Sequence, residues 1–173
     1  GVLQVGGSWQ NTDPTVRQAR QTWMQSGSLV DASSMGNGHG GTVVIWSDLT
    51  NPDGGTVVKG TMLARGGPAG GKGGRIETSG HFLLAQPELV DVSAPNGTGG
   101  EWLLDPFNIT IGASPPAGDI KQMPDPNNSY GLLFESSAEG SHVDVADILA
   151  AMGSATDVTI ATGQGNGTEV RNI

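Results

Sequence analysis

Between Ser28 and Asp105, hydrophobic and polar residues alternate in short runs, each broken by a loop crowded with glycine. The stretches read SLVDASSMGNGHGGTVVIWSD, then TMLARGGPAGGKGGRIETSG, then LVDVSAPNGTGGEWLLDP. Each copy holds an alternating run, a Gly-rich loop, a Gly-Gly pair and a second alternating run. The pairs end at Gly41, Gly74 and Gly100, so the spacing drifts from 33 to 26 residues. Alternation with period two marks strands whose successive side chains take opposite faces. A drifting repeat of this length marks units that stack on their neighbours and absorb length changes in loops.

Counting from each Gly-Gly pair sorts the side chains by face. Val43, Ile76 and Trp102 fall at one position, and Ile45, Thr78 and Leu104 at another on the same face. Val44, Glu77 and Leu103, preceded by Thr42, Arg75 and Glu101, take the opposite face, which is expected to be a mixed exterior. In the preceding strand Val30, Met62 and Val90 match, as do Ala32, Ala64 and Val92, with Asp31, Leu63 and Asp91 facing away. Thr56–Lys59 and Phe82–Ala85 supply a third strand per turn. The pattern predicts an all-β fold, a right-handed parallel β-helix with three short strands per coil.

Around this repeat the signals change. Val2–Trp9 is strand-like and is followed by the turn signal Asn11-Thr12-Asp13-Pro14. From Pro14 to Met24 a short helix, with Val16, Ala19 and Trp23 in rough register, competes with a loop leading to a strand at Thr22–Gln25. The loop and strand are favoured because the run is short and has no clean apolar face. Beyond the coils of 1–105, residues 106–142 are rich in Pro, Gly and Asn and read as an irregular excursion. In 143–173 a helix is expected near 144–152, capped by Asp144, with Asp147 at its positive end and Gly153 closing it in the left-handed region. Val145, Ile148, Leu149 and Met152 form its apolar stripe. Val158, Ile160 and the GQGNGT loop then resume the strand pattern.

Composition narrows the function classes. The 173 residues include 29 Gly, only 14% are charged, and the net charge is −9. So much clustered Gly points to many turns. The acidic balance argues against nucleic acid or an anionic membrane surface as partner, and no stretch is long and apolar enough to span a bilayer. With no Cys, disulfides and thiol chemistry are excluded. Both ends break off in strand-like sequence and read as cuts in a longer polypeptide.

The run VDASSMGNGHGGTVVIWSD, then ARGGPAGGKGGRIETSG, then VDVSAPNGTGGEWLLDPFNITI resembles the filamentous-haemagglutinin-like large exoproteins. These are adhesin passengers of Gram-negative bacteria, exported by two-partner secretion or as autotransporters. VDVADILAAMGSATDVTIATG is similar to the element that follows the LLDP motif in many of them. The resemblance implies a right-handed β-helix and an extracellular or cell-surface location. It transfers no ligand, since members bind different things.

Gly66–Gly73 nearly spells a phosphate-binding loop, but Gly73 stands where Ser or Thr would hold magnesium, and the sequence that follows is strand-like. His39, His81 and His142 have no metal-ligand spacing. Asp31 and Asp91 share one outward position and offer an acidic row for calcium or a sugar, although exposed carboxylates by default only solubilise. Trp46, one step past inward Ile45, leans outward, where its ring can stack on a sugar or another subunit; the alternative is burial under the Asn51–Gly55 loop. Asp105-Pro106 is chemically labile, and Pro stops the strand there. Asn96, Asn108, Asn127 and Asn166 match the N-x-[ST] pattern and read as turn residues.

Three functions compete: a non-enzymatic structural segment of a secreted adhesin, a subunit of an extracellular filament built by end-to-end stacking, and a carbohydrate-binding or carbohydrate-cleaving β-helix. No catalytic residue, metal or cofactor is expected. The expected partners are neighbouring coils of a parent exoprotein, other copies of the chain, or a host or bacterial surface glycan or protein.

Overall fold

The computed structural model describes residues 1–113 and 140–162 in full, and the backbone of 120–124 and 132–136. In chain order the first strands are β1 (Val2–Val5), β2 (Gln21–Met24), β3 (Leu29–Asp31), β4 (Thr42–Trp46) and β5 (Gly55–Val58). Next come β6 (Thr61–Leu63), β7 (Arg75–Gly80), β8 (Phe82–Ala85), β9 (Leu89–Asp91) and β10 (Glu101–Pro106). The remainder are β11 (Ile109–Gly112), β12 (Ile120–Pro124), β13 (Leu132–Ser136), β14 (Ser141–Asp144), the helix α1 (Val145–Gly153) and β15 (Asp157–Ile160).

These strands form three parallel sheets and one antiparallel pair, β12 with β13. The parallel sheets run β1-β4-β7-β10-β15, β11-β14-β8-β5-β2 and β3-β6-β9. From β1 to β9 the chain visits the three sheets in fixed rotation, three times over. Residues 14–20 form no helix, and β2 lies where the loop-and-strand reading puts it.

Register follows the Gly-Gly alignment. Val43 pairs with Ile76 and Ile76 with Trp102; Ile45 pairs with Thr78 and Thr78 with Leu104. Val30 pairs with Met62, and Met62 with Val90. All nine side chains point into one apolar interior, where only Val30 keeps appreciable contact with solvent. Thr78 belongs there because its hydroxyl oxygen accepts the buried Trp102 indole N–H at 3.1 Å. Val58, Leu83 and Ala85 close the interior from the second sheet.

The Gly-Gly pairs are explained by close approach rather than by positive φ. A Cβ on Gly74 would strike the carbonyl of Gly41, and one on Gly100 the carbonyl of Gly74, so backbone lies directly on backbone at this corner.

Three sequence expectations change. The 106–142 segment is not irregular throughout: β11 and β14 extend a parallel sheet, and β12 and β13 pair within it. The helix forms with Asp144 as its cap, the carboxylate accepting from Ala146 N–H at 2.8 Å. Of its expected stripe, however, only Ile148 faces the core. Leu149 is 62% and Met152 54% exposed, while Ile148 and Ala151 face the core, where α1 packs against β9. Gly153 stays helical, and Ala155 takes the left-handed conformation at φ 55°. The GQGNGT loop, Asn127 and Asn166 lie outside the described residues.

Candidate functional site

The outward side of β4 and β7 is covered, and this overturns two sequence expectations. Residues 6–20 cross that face as a strap. Ala19 N–H donates to the Gly6 carbonyl at 2.7 Å and Asp48 N–H to Ala19 at 2.8 Å, anchoring the strap at its far end. Gly7 lies flat on the Trp46 indole, where any side chain would collide with the ring. Trp9 packs on Val44, Trp46 and Leu49, forming a second, smaller apolar cluster outside the sheet. Trp46 therefore does point outward as alternation requires, but it is 1% exposed and offers no ring face for contact. Its cover is the strap rather than the Asn51–Gly55 loop.

Glu77 is the second correction. It lies beside Val44 and Leu103 on the outward face, yet it is fully buried. One carboxylate oxygen accepts the Gln10 backbone N–H at 2.8 Å, and the other accepts the Ser79 hydroxyl at 2.9 Å. Gln10 and Asn11 both hold left-handed φ, at 46° and 51°, in the short 3-10 turn Trp9–Asn11. At Gln10 this costs about 1–2 kcal/mol, which the strap's contacts must offset, whereas Asn tolerates the conformation. Arg75, two residues before Glu77, lays its guanidinium over the Trp9 ring at 4.2 Å and donates from Nε to Thr42 at 3.1 Å.

Electrostatics set Glu77 apart. Burial pushes its carboxyl up to about 7; the Gln10 and Ser79 hydrogen bonds pull the other way, Asp105 raises it further, and Arg75 lowers it. Burial likewise pushes Asp105 up to about 6. Two carboxyls that resist ionisation thus share the outward face of β7 and β10. No protein-family model matches the chain, and no curated protein matches it either.

Asp31 and Asp91 do share one outward position, with buried Leu63 between them. Each is occupied locally: Asp31 accepts from Ser33 N–H at 2.8 Å and Asp91 from Ser93 N–H at 2.9 Å, so both build the turn that ends their strand. Hydrogen bonds from the Ser33 side chain and backbone hold Asp31 below the ordinary carboxylate range. Arg65 approaches Asp91 to 4.0 Å.

The three histidines stay apart in role. His39 is exposed and accepts the Lys72 N–H on Nδ1 at 2.8 Å, tying two Gly-rich loops together. His81 bonds through Nδ1 to the Leu49 carbonyl and stacks on Phe107 at 4.6 Å. His142 is buried in β14, and neither ring nitrogen finds a hydrogen-bond partner among the described residues. The near-P-loop at Gly66–Gly73 leads into strand β7, not into a helix. Asn96 donates to the Pro68 carbonyl at 2.6 Å, and the Asn108 side-chain oxygen accepts from Ser141 N–H at 3.3 Å, so both act as loop ties.

The buried carboxyls were missed because alternation tells which face a side chain takes and says nothing of what covers that face. One signal was available. A lone Glu flanked in register by Val44 and Leu103 sits in an apolar row, which is an expensive place for a carboxylate unless something binds it.

Proposed function

We propose that the chain is a structural, non-enzymatic segment of a secreted or cell-surface bacterial exoprotein of the filamentous-haemagglutinin kind, built as a right-handed parallel β-helix with three short strands per coil. The observation that carries this reading is the fixed rotation of the chain through three parallel sheets around one apolar interior. Such a body gives reach and surface rather than a cleft. Its partners are neighbouring coils of a parent exoprotein and a surface glycan or protein. The test is incubation of the purified protein with a panel of bacterial and host polysaccharides, followed by assay of new reducing ends. No turnover is expected. Turnover that is lost in Asp31→Asn or Asp91→Asn would overturn the reading, and binding without turnover on a glycan array would assign it an adhesive ligand.

A second reading, a filament of stacked copies, is favoured by one further observation. Among the described residues, β1, β2 and β3 stand at the same end of their sheets, and Val2, Leu3, Val5 and Leu29 are exposed there. Open strand edges with apolar side chains are templates for pairing, and a head-to-tail contact that does not close builds a fibre. Sedimentation at rising concentration decides it: growth into long species supports the filament, and a strictly monomeric protein excludes it.

A further inference from the structure

Beyond this structural reading, and independent of it, the strap and the carboxyl beneath it form a device. We propose that residues 6–20 act as a pH-sensitive strap over β4 and β7, held more tightly while Glu77 is protonated and opening more often when Glu77 is ionised.

The geometry makes the two coincide. Glu77 reaches no solvent with the strap in place, and one of its oxygens is bonded to the strap's own backbone at Gln10. The carboxyl therefore cannot gain a full hydration shell without breaking that bond and moving the 3-10 turn. The strap itself is thin: Gln10 to Thr15 are all exposed, so water lies directly above. Its hold on the sheet comes from Gly7 and Trp9 on Trp46, Arg75 on Trp9, the Gln10 bond, the Gln18 side chain accepting the Trp46 indole N–H, and the Asp48 bond to Ala19.

The charged groups around Glu77 are few. From β7 itself comes Arg75, and from β10 come Asp105 and, opposite Arg75 in register, Glu101. The facing residues of β4, Thr42, Val44 and Trp46, carry none. The strap presents the Gln10 backbone N–H, while its Asp13, Arg17 and Arg20 are exposed, Arg20 paired with Asp53.

The sign follows from proton linkage. With the strap open, Glu77 is hydrated and ionises near its ordinary value of 4.5; with the strap closed, the value is about 7. The closed form binds the proton more tightly, so acid closes the strap. Opening becomes up to about tenfold more favourable for each pH unit between those two values, about 300-fold in all, and levels off above the upper one. Opening uncovers Val44, Trp46 and Glu77 together, so an apolar strip that is sealed in acid is uncovered more often near neutrality.

Amide exchange at Gln10, followed from pH 4.5 to 8.5, tests this on the intact chain. Intrinsic exchange rises about tenfold per pH unit. In the wild type the Gln10 rate should rise about a hundredfold per unit up to pH about 7 and about tenfold beyond it. In Glu77→Gln, which keeps a carbonyl oxygen for Gln10 but cannot ionise, the rise should be tenfold throughout. A wild-type rise of only tenfold per unit, or an unchanged bend in Glu77→Gln, overturns the proposal. If circular dichroism shows that Glu77→Gln does not fold, Asp105→Asn decides. Removing that neighbouring carboxylate must move the bend to lower pH, and a bend that stays in place overturns the gate.

Discussion

Ile76 and Glu77 are consecutive on β7, and both are sealed from solvent for opposite reasons. Ile76 points into the apolar interior between Val43 and Trp102, where the nearby Thr78 hydroxyl and Trp102 indole N–H are already bonded to each other. Ile76→Asp is expected to abolish cooperative folding, because a buried unpaired carboxylate costs several kcal/mol, of the order of the whole stability of a domain. Thermal denaturation by circular dichroism would show loss of the transition. Glu77 faces the other way and is buried only because the strap lies on it. Sequence alone makes Glu77→Asp a silent change; the bonds to Gln10 and Ser79 reverse that expectation, since a shorter side chain cannot keep both. Gly7 is the matching residue on the strap. Gly7→Ala drives a methyl into the Trp46 ring, and overpacking of this kind typically costs about 1–3 kcal/mol. The expected outcome is a red-shifted tryptophan spectrum and faster exchange at Gln10, with the parallel sheets intact.

Among the elements, α1 shows how far local signals reach. Its start was legible, because Asp144 at the cap is a local hydrogen bond that the sequence determines by itself. Asp144→Ala should cost about 1 kcal/mol, read as a lower melting temperature and as fraying of the first helical turn in amide exchange. Its buried face was not legible. The apolar residues Val145, Ile148, Leu149 and Met152 suggest one stripe, but of these only Ile148 meets the core, beside Ala151, where a small residue lets the helix come close to β9. The strands were read well for the opposite reason. Each Gly-Gly pair is forced by backbone contact with the next pair, so it fixes register between strands far apart in sequence. Residues 6–20 have no such repeat, and their fold depends on Trp46 and Glu77, far from them along the chain. The turn signal at Asn11 was legible, since Asn tolerates positive φ, but Gln10 runs against its ordinary preference for negative φ, so propensity could not reveal its conformation.

At the scale of the molecule, the three parallel sheets, among the described residues, place their ladder hydrogen bonds between one passage of the chain and the next. In a parallel sheet those bonds run across the strands, so here they point along the direction of stacking. A pull applied between β1 and β15 would act straight along them, and they would fail one strand at a time instead of sharing the load as they do when strands slide past each other. The body should therefore resist crushing and bending, where its filled interior carries the force, and yield to tension by peeling from an end. Each circuit between Gly-Gly pairs is 26 to 33 residues, which would release about 90–110 Å of chain per step. Under load the protein would behave as a series of fuses, each giving way at low force and lengthening the whole before the next is strained.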